Sequence, residues 1–157
     1  NTDGWVNLSE VIDMSVKPYL IFNGNCREAM DFYREVFGAD EPVVMTYGDL
    51  PKGNDDFSLP PEAKSLVLHA EMTIAGDTIM FSDQFPGMPY NVGNHMSLAV
   101  ISDDMDEIKS WFAKLKVGGQ VEMELGETHW SKCYGSVFDR FGVSWQLNYS
   151  EPETVQP

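Results

Sequence analysis

The apolar residues of this chain change period along its length, and those changes predict its elements. Lys17 to Phe22 (KPYLIF) is an apolar run closed by Asn23, Gly24 and Asn25, which reads as a strand, a turn and a helix start. Ala29, Phe32, Tyr33, Val36 and Phe37 then recur at helical spacing, and Gly38 stands where a C-cap belongs. A strand is expected near Val43 to Tyr47. Residues 48–64, rich in Gly, Pro and Asp, predict a long loop. Strands follow over Ser65 to Ile74 and Thr78 to Ser82, joined by a tight turn at Ala75-Gly76-Asp77. Residues 84–94 hold two prolines and two glycines and read as a linker.

The same order then returns. His95 to Ile101 is a strand. Asp103 or Asp104 caps a helix carrying Met105, Ile108, Trp111, Phe112 and Leu115, which Gly118 and Gly119 stop. Gln120 to Glu124, Tyr134 to Phe138 and Val143 to Tyr149 are three further strands, the last two turning at Arg140-Phe141-Gly142. Ala70 to Asp83 lies on Ser136 to Tyr149 without a gap, placing Gly76 on Gly142, Met80 on Gln146 and Phe81 on Leu147. Pro18 to Phe22 likewise lies on His95 to Ala99. Alternation sends Ile79, Phe81, Trp145 and Leu147 under the helices. It sends Thr78, Met80, Ser82, Ser144, Gln146 and Asn148 to the opposite face. The expected architecture is α+β: two βαβββ modules, residues 15–83 and 95–149, whose half-polar faces form a curved cup. Residues 84–94 link them and residues 150–157 form a tail. Residues 1–14 are set aside as a leader left over from expression, with Met14 the native start; the rival is a native arm anchored by Trp5, Val6 and Val11.

Composition narrows the function classes. The 157 residues carry 25 acids against 10 bases, a net charge of −15, so a phosphate backbone is repelled and no nucleic-acid partner is expected. No apolar run approaches the roughly 20 residues of a membrane-spanning helix. Cys26 and Cys133 form no metal-binding pair or disulfide framework, which fits reduced thiols in the cytoplasm.

Three segments resemble the PhnB-like branch of the vicinal-oxygen-chelate (glyoxalase/bleomycin-resistance/dioxygenase) superfamily. Residues 18–38 (PYLIFNGNCREAMDFYREVFG) resemble its opening and residues 68–83 (LHAEMTIAGDTIMFSD) its second hairpin. Residues 130–148 (WSKCYGSVFDRFGVSWQLN) resemble its closing hairpin, with Asp139-Arg140-Phe141-Gly142 where Asp-Pro-Phe-Gly is usual. The resemblance implies the two-module cup and a homodimer, with modules paired within one chain or exchanged between two. Some members of the branch carry a 3-demethylubiquinone methyltransferase label. A nucleotide-type methyltransferase needs a glycine-rich turn at its first helix, which Asn23-Gly24-Asn25 does not supply.

Metal-using relatives such as glyoxalase I hold one divalent ion at four strand slots, which the repeat places at Pro18, Met80, His95 and Gln146. Pro18 has no side-chain donor, Met80 offers a soft thioether and Gln146 a neutral carbonyl, so His95 is the one good ligand and no metal is expected. His69 and Glu71 share one face of a strand and form a candidate acid/base pair, or two ligands of a shifted metal site; an ordinary surface ion pair is the competing reading. Met80, His95, Ser97, Trp130, Tyr134, Ser144 and Gln146 are the expected ligand-binding residues, with Met80, His95, Ser97, Trp130, Ser144 and Gln146 lining one cavity between the modules. Tyr90 is a further aromatic at the mouth, while His129 reads as a solvated loop residue and Cys133, beside Lys132, as a weak nucleophile candidate. The expected function is metal-free binding of a small apolar or aromatic molecule, with no cofactor. The alternatives are a lyase, isomerase or dioxygenase with an altered metal site, and a metal-free acid/base enzyme.

Overall fold

A computed structural model describes residues 14–51 and 59–152; the proposed anchors Trp5, Val6 and Val11 lie outside them. The first half runs β1 (Tyr19–Phe22), α1 (Cys26–Phe37), β2 (Val44–Thr46), β3 (Val67–Ile74) and β4 (Asp77–Asp83). The second runs β5 (Leu98–Ser102), α2 (Met105–Leu115), β6 (Gln120–Gly126), β7 (Tyr134–Phe138) and β8 (Ser144–Tyr149). Each half is a four-stranded sheet, ordered β1-β4-β3-β2 and β5-β8-β7-β6. In each, the first strand runs parallel to the last and the remaining pairs are antiparallel. The α+β, twice-repeated βαβββ order expected from the apolar pattern is what the chain forms. Among the described residues no helix is long and apolar enough to cross a membrane.

Local chemistry explains the boundaries. Gly38 ends α1 in the left-handed region, its N–H bonding to the Arg34 carbonyl. The Asp104 side chain accepts from the Asp106 and Glu107 amides and so caps α2. Gly76 and Gly142 both adopt positive φ, near 90° and 83°, in the turns before β4 and β8.

The internal overlay needs two corrections. Met80 and Gln146 do correspond, each lying beside the first strand of its sheet, but their partners there are Tyr19 and Ala99. The first strands therefore match with Tyr19 on Ala99, not on Met96, three residues from the expected alignment. His95 lies before β5, in an exposed bend. In a short apolar strand the period of two leaves register open, and a slip by an odd number exchanges the faces. The second correction is one residue in the hairpins. Ala70 faces Phe81, 11 positions on, whereas Gly135 faces Leu147, 12 positions on, so β3 and β7 do not overlay without a gap. The counterpart of His69 is thus Tyr134, and that of Glu71 is Ser136.

The helix-covered faces of both sheets meet in one core. Tyr33 and Phe37 of α1 pack on Trp145 of β8, with ring centroids 5.4 and 5.1 Å apart, and Phe37 also packs on Trp111 of α2. Phe22 of β1 meets Phe141 edge-on. Two buried carboxylates are pinned there by main-chain and side-chain donors. Asp83 accepts from the Cys26 and Val67 amides, joining the start of α1 to β3. Asp139 accepts from Tyr33 Oη, Trp145 Nε1 and the Phe141 and Val143 amides. It therefore ties α1 of the first half to the turn of the second. Burial, followed by the Asp83 charge, pushes the Cys26 thiol up to about 12, which keeps it protonated and inert.

Candidate functional site

Among the described residues no element covers the other face of each sheet, and the candidate residues divide between these two open faces. On the first sheet, Met80 pairs with Tyr19 on one side and Glu71 on the other, and Met45 pairs with His69. Tyr19 Oη lies 3.1 Å from His69 Nδ1, and His69 Nε2 lies 3.4 Å from Glu71 Oε1. One neutral tautomer satisfies both contacts: the phenol donates to Nδ1, and Nε2–H donates to the carboxylate. The expected His69–Glu71 pair is therefore the inner part of a three-residue chain. Tyr19 was hidden because an aromatic inside KPYLIF reads as strand filler. Its alternation with Ile21, on the face shared with Met80, is the signal that points to it.

A cavity of about 820 Å³ opens beside this chain, lined by Met45, Asp49, His69, Glu71, Thr73 and Thr78 together with the loop after α1. Asp49 was also missed. The Thr46 backbone amide donates to its carboxylate and holds it below the usual carboxylate range, so the rim carries a fixed negative charge.

The second sheet carries the remaining candidates. Tyr134 Oη donates to Gln146 Oε1 at 2.8 Å, Ser144 Oγ bonds to Ser97 Oγ at 2.9 Å, and the Trp130 ring meets Tyr134 nearly perpendicular at 5.3 Å. Trp130, Tyr134 and Gln146 are thus assembled as one group, and Ser97 and Ser144 as another. Within one chain, Met80 belongs to the other sheet's open face, and His95 stands apart in its bend beside Gly93. His129 is exposed. Tyr90 donates to the Ile21 carbonyl, fastening the linker to β1. Lys132 is paired with Glu151 and Cys133 is buried, which gives the thiol no free cation to activate it.

The donor chemistry does not fit a glyoxalase-type divalent ion. At the positions facing each other across the parallel pairs stand Tyr19 with Met80 and Ala99 with Gln146. Gln146 already accepts from Tyr134. Among the described residues, no three of His, Cys, Asp and Glu come together as a metal-holding group. A methyltransferase of the nucleotide-binding kind does not fit either, because each sheet has one parallel pair and neither is doubly wound.

Residues 14–148 match the model of the family described as 3-demethylubiquinone-9 3-methyltransferase. The chain is 33% identical to protein YjdN of Escherichia coli (strain K12) over 91% of its own length and all of that protein's. Protein PA1353 of Pseudomonas aeruginosa superposes with a TM-score of 0.75 at 34% identity, covering 88% of this chain and 99% of that one. A PhnB protein from Bacillus cereus superposes with a TM-score of 0.69 at 30% identity, covering 87% of this chain and all of that one. With the two βαβββ modules and the matched segments, these similarities settle the lineage: the chain belongs to the PhnB-like 3-demethylubiquinone-9 3-methyltransferase family of the vicinal-oxygen-chelate superfamily.

Proposed function

We propose that this protein binds a small apolar or aromatic molecule without a metal, on the open faces of its sheets, as a cytoplasmic homodimer. The cavity of about 820 Å³ beside Met45, His69 and Thr78 carries this reading, since its size and mixed lining suit a small organic ligand. The net charge of −15 favours a neutral or cationic molecule over an anion. Tyr19, Ile21 and Met45 on the first open face and Ile101 and Met123 on the second are each 42–58% exposed. A second copy laid against these faces would cover them and deepen the cavity. Two free buried thiols suit a reducing compartment.

Native mass spectrometry of freshly purified protein, with elemental analysis, tests the reading. The expected result is a dimer mass, a retained organic molecule and no stoichiometric divalent metal. A tight one-to-one site for Zn, Ni, Mn or Fe(II), titrated anaerobically and lost in His95→Ala or His69→Ala, would overturn it. A second reading, proton-transfer catalysis, is favoured by the Tyr19–His69–Glu71 chain, in which Glu71 orients the imidazole and His69 exchanges a proton at Nδ1.

A further inference from the structure

We infer that the open face of the second sheet holds a distinct subsite for a planar, uncharged ring with an amide-type edge, an N–H beside a C=O, recognised by Asn148 and Gln146 and stacked on Trp130. The inference rests on the reading that the open faces bind small molecules, and it names the ligand chemistry of one of them.

Three observations carry it. The first is an orphaned acceptor. Asn148 Oδ1 is sealed from solvent and, among the described residues, accepts no hydrogen bond. Folding leaves few such groups unpaired, and each one asks for a donor from elsewhere. Asn148 as a whole is only partly buried, and the oxygen and nitrogen of a side-chain amide exchange places on rotation about the Cβ–Cγ bond, so the same side chain can turn its oxygen to the face. The second is a neighbouring donor of fixed orientation. Gln146 lies two residues earlier on the same face, and its carbonyl is occupied by Tyr134 Oη. The amide is thereby oriented, and its Nε2 is left to donate. An acceptor and a donor side by side match a lactam-like edge. The third is the aromatic wall: Trp130 is 64% exposed although it packs edge-on against Tyr134. An indole face left to solvent offers a stacking surface to a flat ring.

The charge pattern sets the class. Strands β5, β7 and β8, which carry the subsite, contain no charged residue, while the sheet's acids, Glu122 and Glu124, lie on the edge strand β6 and disfavour an anion; recognition at the subsite therefore works through dipoles. The corresponding positions of the first module hold His69, Met80 and Ser82 where the second holds Tyr134, Gln146 and Asn148. One architecture folds with either set, so the amides are not there to build the sheet.

The test uses the full chain and two probes: 2-quinolone, which has the N–H and C=O edge, and N-methyl-2-quinolone, which lacks the donor. Calorimetry and tryptophan fluorescence should show 2-quinolone binding about tenfold more tightly than its methylated form. Asn148→Ala should erase that preference without lowering the melting temperature, since it removes an unpaired acceptor. Trp130→Ala should weaken both probes alike, and Lys109→Ala, at an exposed position of α2, should change neither. Equal binding of the two probes, or a preference that survives Asn148→Ala, would overturn the subsite while leaving open-face binding intact. Failure of both probes would also overturn it, and the organic molecule sought by native mass spectrometry would then judge the broader reading alone.

Discussion

Replacing Asp139 by alanine is expected to lower unfolding free energy by about 4 kcal/mol and the melting temperature by about 10 °C. Asp139 is 3% exposed and its carboxylate holds four donors: Tyr33 Oη at 2.5 Å, Phe141 N at 2.8 Å, Trp145 Nε1 at 2.9 Å and Val143 N at 3.1 Å. Hydrogen bonds to a charged group contribute roughly 1.5–3 kcal/mol each, and bonds sharing one acceptor do not add. The loss should exceed any single bond because the substitution strands Tyr33 and Trp145 in the core. Burial, and then the negative charge of Asp139, push the Tyr33 phenol well above its ordinary value, so it stays a donor throughout the physiological range. Its sign follows from linkage. The unfolded tyrosine ionises first, so this contribution is complete below pH about 10 and is lost as pH rises beyond it. Tyr33→Phe removes one donor and should cost about 2 kcal/mol. Denaturant unfolding checks both, and a loss below about 1 kcal/mol for Asp139→Ala would show that Asp139 does not couple the modules.

Gly119→Ala is expected to be comparably damaging, costing more than about 3 kcal/mol or preventing soluble expression. A Cβ at this position would stand 2.1 Å from the Phe138 carbonyl oxygen and 3.0 Å from Asp139 Cα. Both obstacles are main chain, so no side chain can swing away. Relief would require β6 to part from the turn that carries Asp139. Gly126→Ala, at the other end of β6, provides the contrast. Its nearest neighbour there is a carbonyl oxygen at 4.0 Å, and it should change stability by less than about 0.5 kcal/mol. A thermal melt of the two variants side by side decides the matter; similar behaviour would mean the close approach at Gly119 is relieved cheaply.

The contrast between what the sequence revealed and what it concealed follows from range. Ala29, Phe32, Tyr33, Val36 and Phe37 announce α1 because helical spacing is a local property, and Gly38 announces its end for the same reason. Gly76 and Gly142 mark turns through their own backbone conformation. HMSLAV is apolar and extended in character, which predicts a strand from His95, but hydrogen bonding to β8 begins only at Leu98, and no local signal sets that start. Asp139 looks like an ordinary turn residue, and its tie to Tyr33 spans 106 positions. Alternation told which side chains share a face but not what covers that face. The meeting of both helix-covered faces in one core, and the division of the candidate residues between two open ones, lay beyond it.

The parallel pairing of first and last strands has a consequence for how the chain is made. Tyr19 finds its partner in Met80, 61 residues later, whereas the second module closes over 47 residues between Leu98 and Trp145. At about 5–20 residues per second, a ribosome leaves β1 unpaired for roughly 3–12 s after it is synthesised. During that interval Tyr19, Leu20, Ile21 and Phe22 emerge as an extended apolar segment with nothing to bond to, while β3 and β4 have yet to form their hairpin. A polar substitution at Leu20 or Phe22 would therefore act twice, once on the unpaired segment as the chain is made and again on the strand when it docks against β4.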